Sequence, residues 1–175
     1  MCIRDSYYVM LGVIYTVDFA VWGLHVFLTY GFLSLGIAAS LMGLGMIILT
    51  LVIGTRSNNA NGRRRVIRTG AFLSAVLWIL RVVADSEAEF MLLSLMGGFI
   101  ITSFSVSLYA DFAQFAKKQG PERSVIFRLF WLGIGHVAPV SLLLLLIPVW
   151  GINVFIYSAF GVAAIASICL ASFKN

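Results

Sequence analysis

The chain alternates long apolar runs with short polar ones. Six runs, at residues 7–30, 32–54, 66–84, 90–116, 125–147 and 150–173, reach the length of roughly 20 apolar residues that a helix needs to cross a bilayer. Hydrocarbon offers no partner for a free backbone N–H or C=O, so such segments are expected to be helical, in an all-α fold. The first two runs are separated only by Gly31, in "LTYGFLS". One helix over both would far exceed a bilayer, and glycine permits a tight reversal there.

The polar runs between these segments differ in sign. Arg56, Arg63, Arg64 and Arg65 fall between the second and third segments, with Arg68 just beyond. "RVVADSEAEF" carries Arg81 together with Asp85, Glu87 and Glu89. "AKKQGPERS" is basic again, through Lys117, Lys118 and Arg123, with Arg128 a turn later. "IPVWGIN" has no charge, and Lys174 lies near the end of the chain. Basic loops stay on the cytoplasmic side. The alternation therefore predicts six spans with both termini in the cytoplasm, in the inner membrane of a bacterium. The arginines of "IGTRSNNANGRRRVIRTG" then serve as a topology anchor that touches anionic lipid head groups, and no nucleic-acid partner is expected.

Composition agrees with this pattern. The 175 residues are 61% hydrophobic and 11% charged, against about 45–50% and about 25% in soluble domains. Too few polar residues are present to coat a water-soluble fold, so the expected environment is a lipid bilayer. The net charge of +5 reports topology first. Cys2 and Cys169 have no spacing that suggests a disulfide framework or a metal site. "MCIRDS" resembles a translated sequencing adapter of the kind seen at the start of metagenomic reading frames. Residues 1–6 are set aside on that ground, residues 7–175 form the membrane domain, and the natural chain is expected to begin upstream.

Charges within a span are expensive, so they mark candidate functional positions. In the first segment Tyr15, Asp18, Trp22, His25 and Thr29 follow a 3, 4, 3, 4 spacing, which puts them on one helical stripe. Asp18 falls near mid-membrane. One reading makes the stripe a cavity wall, with Asp18 and His25 binding solute or protons. The other has Asp18 hydrogen-bond a neighbouring helix and nothing more. In the fourth segment Ser103, Ser107 and Asp111 are spaced at i, i+4 and i+8. The serines either face a cavity or allow close helix packing, and Asp111 is expected to form an inner ion pair with Arg128. His136, three residues before Pro139, is expected to hydrogen-bond across helices. A shared haem site with His25 would need both histidines at one depth, whereas His25 is expected near the outer end of its helix and His136 near the middle of its own. No paired carboxylates, nucleophile–base pair or phosphate loop is present, so neither an enzyme nor a bound cofactor or metal is expected.

The loop "GTRSNNANGRR" resembles the G-x-x-x-D-R-x-G-R-R motif between the second and third helices of major facilitator transporters. Gly54 and Gly62 match its glycines, and Arg63 and Arg64 its basic pair. Asn58 stands at the aspartate, and one residue is inserted before Gly62. "GRRRVIRTGAFLSAVLWILRVVADS" is similar to the third helix of such a half. "SLYADFAQFAKKQGPERSVIFRLFWLGIGH" is similar to the stretch joining the fourth and fifth helices of their second half. "AVWGLHVFLTYGFLSLGIAASLMGLG" resembles their seventh and eighth helices. The resemblance implies the C-terminal six-helix half of a twelve-helix transporter, with the N-terminal half as its missing partner. It also implies alternating access for a small-molecule solute, with or without a proton, and a binding wall formed by Tyr15, Asp18, Trp22, His25, Ser103 and Ser107. The competing expectations are a structural or assembly membrane protein without transport, and a haem-binding redox subunit.

Overall fold

The computed structural model describes the backbone of residues 3–56 and 60–172, and their side chains except at 3–5, 53–56, 60, 61, 63, 64, 111, 115, 118, 119, 121, 139, 142, 143 and 146. Every described element is helical. Helix α1 (Ile3–Thr16) passes through a π-helical turn (Val17–Val21) into α2 (Trp22–Tyr30), and the three run on as one rod. Then come α3 (Phe32–Arg56), α4 (Ala60–Val83), α5 (Glu87–Gln119) and α6 (Pro121–Ser172).

The sequence explains the breaks. Gly31 takes φ 89°, outside the range that L side chains favour, and reverses the chain between α2 and α3. Ser86 caps α5 by accepting from the Glu89 backbone N–H, and the Glu89 carboxylate accepts from the backbone N–H of Ser86. Gly120 ends α5, and Pro121 opens α6, where its missing N–H costs nothing. Gly151, at φ 81°, breaks α6 in two.

Five segments are long and apolar enough to cross a membrane among the described residues: Ser6–Tyr30, Phe32–Val52, Arg65–Val83, Glu87–Gln114 and Ile147–Ser172. The expected sixth span, 125–147, is the first part of α6, before the Gly151 break.

Helix α1 packs on α6, α3 on α5, and α4 on both α5 and α6. Glycines set two of these crossings. A Cβ on Gly98 would run into the Met42 carbonyl of α3, and one on Gly45 into the Leu95 carbonyl of α5. Gly12 and Gly135 stand in the same relation between α1 and α6. Small residues let backbones approach this closely. By contrast, Cβ atoms on Gly36, Gly43 and Gly133 would meet nothing within 4 Å.

The interior mixes apolar and polar side chains, and the exterior is largely apolar. Trp78, Phe90, Phe104 and Phe160 fill the centre, but Asp18, Arg81, Ser74, Ser94, Thr102, Ser105, Ser107 and Ser167 are buried with them. The outer surface carries Phe32, Leu33, Leu51, Ile126, Leu145 and Val149, each at least 70% exposed. Monomers in water do not present so continuous an apolar exterior.

Candidate functional site

The first rod and α4 meet over a buried ion pair. Arg81 Nη1 donates to Asp18 Oδ1. Arg81 has no exposed surface, and Asp18 is 3% exposed. Helical side chains lean toward the N-terminus of their helix. Arg81, in the last turn of α4, therefore reaches inward from the helix end to the depth of Asp18. Its guanidinium carbon lies 4.3 Å from the Trp22 ring centroid and 4.5 Å from that of Trp78. Gly97 of α5 leaves the room, since a Cβ there would come within 2.5 Å of Arg81 Nη2. Nε and Nη2 of Arg81, and Nε1 of Trp78, have no hydrogen-bond partner among the described residues.

Sequence reading counted Arg81 with the third loop. It is instead the buried partner of Asp18. The loop it leaves carries only the acidic Asp85, Glu87 and Glu89. The signal that could have placed it is the 4, 3, 4, 3 spacing of Ile67, Ala71, Ser74, Trp78 and Arg81, all of them buried. A helical stripe of this kind points Arg81 into the bundle.

Asp18 is also where the first rod departs from α-helical form, because it lies in the π turn Val17–Val21. Single π turns inside α-helices cluster at functional sites. Trp22, directly after the turn, is 2% exposed. Its Nε1 donates to Ser94 Oγ at 2.9 Å, and its ring stacks on Phe90 with centroids 4.9 Å apart. Beside Asp18 and Trp22, a cavity of about 160 Å³ opens between the rod and α3. Asp18, Phe19, Trp22, Ala39, Met42 and Met46 are among its lining residues.

The remaining stripe residues have separate surroundings. Tyr15 donates to Ser105 Oγ of α5 at 2.7 Å, and Ser105 is a partner that sequence reading missed. The His25 ring sits among Trp22, Phe90, Tyr157 and Phe160, with centroids 5.2 to 6.1 Å away. Thr29 bonds back to the His25 carbonyl. Ser103 and Ser107 bond to carbonyls of their own helix, those of Ile100 and Ser103.

His136 Nδ1 lies 2.5 Å from Thr16 Oγ1. Thr16 is nine residues from His25, about 13 Å along the rod. The two histidines therefore do not share a site. Among the described residues no three His, Cys, Asp or Glu side chains converge on a point.

Arg128 places its guanidinium carbon 4.2 Å from the Tyr109 ring centroid and 5.0 Å from that of Phe112. Its expected partner Asp111 is described in backbone only, so the Asp111–Arg128 pair lies outside the described side chains. In the loop motif, Asn58 lies outside the described residues, and Gly54, Arg63 and Arg64 have described backbone only. Gly62 is in the first turn of α4. No protein-family model, curated protein or solved structure matches the chain.

Proposed function

We propose that this chain is the C-terminal six-helix half of a secondary-active transporter of major facilitator type, with its apolar exterior in a lipid bilayer. One observation carries the reading: the Asp18–Arg81 pair, enclosed in the bundle, on a π turn and beside a cavity. Charges at that depth are costly, and they characteristically mark solute or proton pathways. The pair joins two helices. A proton or solute that takes Asp18 from Arg81 frees one helix from the other, which is the kind of local event that alternating access requires. The half-buried Tyr15 of the first rod and the buried Ser94, Ser105 and Ser107 of α5 add polar groups to the same interior. The second half of the binding wall would come from the N-terminal bundle.

Complete burial of Arg81 favours one competing reading, a structural membrane protein in which the pair only fastens the bundle. Two experiments separate them. The first extends the reading frame upstream: six further spans with an intact G-x-x-x-D-R-x-G-R-R support the transporter, and a soluble domain there argues against it. The second measures solute uptake by the full-length protein in vesicles with an imposed pH gradient. Asp18→Asn is expected to abolish gradient-driven uptake. Uptake that ignores this substitution supports the fastening role.

A further inference from the structure

The cavity beside Asp18 constrains the chemistry of its occupant. Its walls are apolar or aromatic apart from the Asp18 carboxylate. Its volume of about 160 Å³ is close to that of engineered apolar cavities, on the order of 150 Å³, that take up benzene. The site carries no net charge, because Arg81 neutralises Asp18. An incoming cation would leave a buried charge without a counter-ion, and an anion would face the carboxylate; both are unfavourable. A sugar would need many polar partners where the wall offers one. The hydrogen bond and ion pair with Arg81 both fall on Oδ1, which leaves Oδ2 to accept from a ligand. Met42 and Met46 supply adaptable, polarisable wall.

Resting on the transporter reading of this same site, we infer that the cavity binds an uncharged, mainly apolar small molecule of about benzene size bearing one hydrogen-bond donor, which is directed at Asp18. This names the substrate class as neutral amphiphiles, not sugars or organic ions.

The test is binding of phenol to the purified chain in nanodiscs, followed by ligand-observed NMR. Toluene, benzylammonium and benzoate serve as comparisons. Gly43→Leu fills the cavity from a position whose Cβ has nothing within 4 Å, and Gly36→Leu makes the same change on α3 away from the lining. Ala39→Leu is a second filling variant should Gly43→Leu fail to fold. Phenol binding is expected to saturate, to weaken by at least about tenfold in the filled variants, and to be unchanged in Gly36→Leu. Toluene and both ions are expected to bind more weakly than phenol. Absent saturation, equal binding to the filled variants, or ionic or donor-free analogues that match phenol would each overturn the inference. The outcomes separate from those of the transport reading. Lost phenol binding with Asp18-dependent uptake intact removes this inference alone. Phenol binding in a protein whose uptake ignores Asp18 removes the transport reading alone.

Discussion

The Asp18–Arg81 pair lends itself to a double-mutant cycle with unequal arms. Removing one member of a buried ion pair costs about 3–5 kcal/mol, chiefly because the other charge is left without compensation. Arg81→Met keeps the length and apolar bulk of the side chain, so little of its cost is a void. It gives up the stacking on Trp22 and Trp78, about 2 kcal/mol for a desolvated cation over aromatic rings. Each single variant leaves one buried charge without its counter-charge, a carboxylate in Arg81→Met and a guanidinium in Asp18→Asn.

The double variant Asp18→Asn/Arg81→Met is expected within about 1 kcal/mol of the parent, because replacing a whole buried pair is often neutral. Urea unfolding in micelles at pH 7, followed by tryptophan fluorescence, measures all four proteins. Single variants that each cost under about 1 kcal/mol, or a double variant that costs the sum of the two, would refute the reasoning.

Gly98→Val drives a side chain into the Met42 carbonyl and should lose about 2 kcal/mol or more, whereas Gly43→Val, in open space, should stay within about 0.5 kcal/mol; thermal unfolding compares them. Tyr15→Phe removes the bond to Ser105 and is expected to cost about 1 kcal/mol by urea unfolding. Ser86→Ala takes away the α5 cap at about 1 kcal/mol, read as faster amide exchange in residues 87–90. Gly151→Ala strains a backbone at φ 81° and should lower the unfolding midpoint by an amount corresponding to about 1 kcal/mol.

Much of the fold was legible because its cues are local. Apolar run length marked the helices and Gly31 marked the first reversal, whereas the Ser86 cap, four residues before the expected start of the fourth segment, went unread. The first segment was legible over 7–30, but neither the start of its helix at Ile3 nor the π turn inside it was, since a widened turn leaves no compositional trace. On the site, two residues of the stripe, Asp18 and Trp22, are buried. What it missed was the partner. Arg81 stands four residues before Asp85, and nearness to an acidic loop made it look like a loop charge. Only tertiary packing, with Gly97 withdrawn and two indole rings in place, gives a guanidinium a berth there. His25 and His136 illustrate the same limit from the other side. Helix register sets depth along each rod, but which faces meet is decided by the crossings.

Those crossings divide the molecule mechanically. Where Gly12 meets Gly135 and Gly45 meets Gly98, backbones touch backbones, and no side-chain rotamer is available to absorb a displacement. The rod and α6 are closely held in this way, and so are α3 and α5, while α4 packs on both α5 and α6. Between the rod and α3 the contacts run through methionine and leucine side chains around an open space, which yield easily. Strain applied to the bundle therefore collects on that seam, with the Asp18–Arg81 pair as the tie nearest to it. The cavity thus marks the softest contact between the two closely packed pairs.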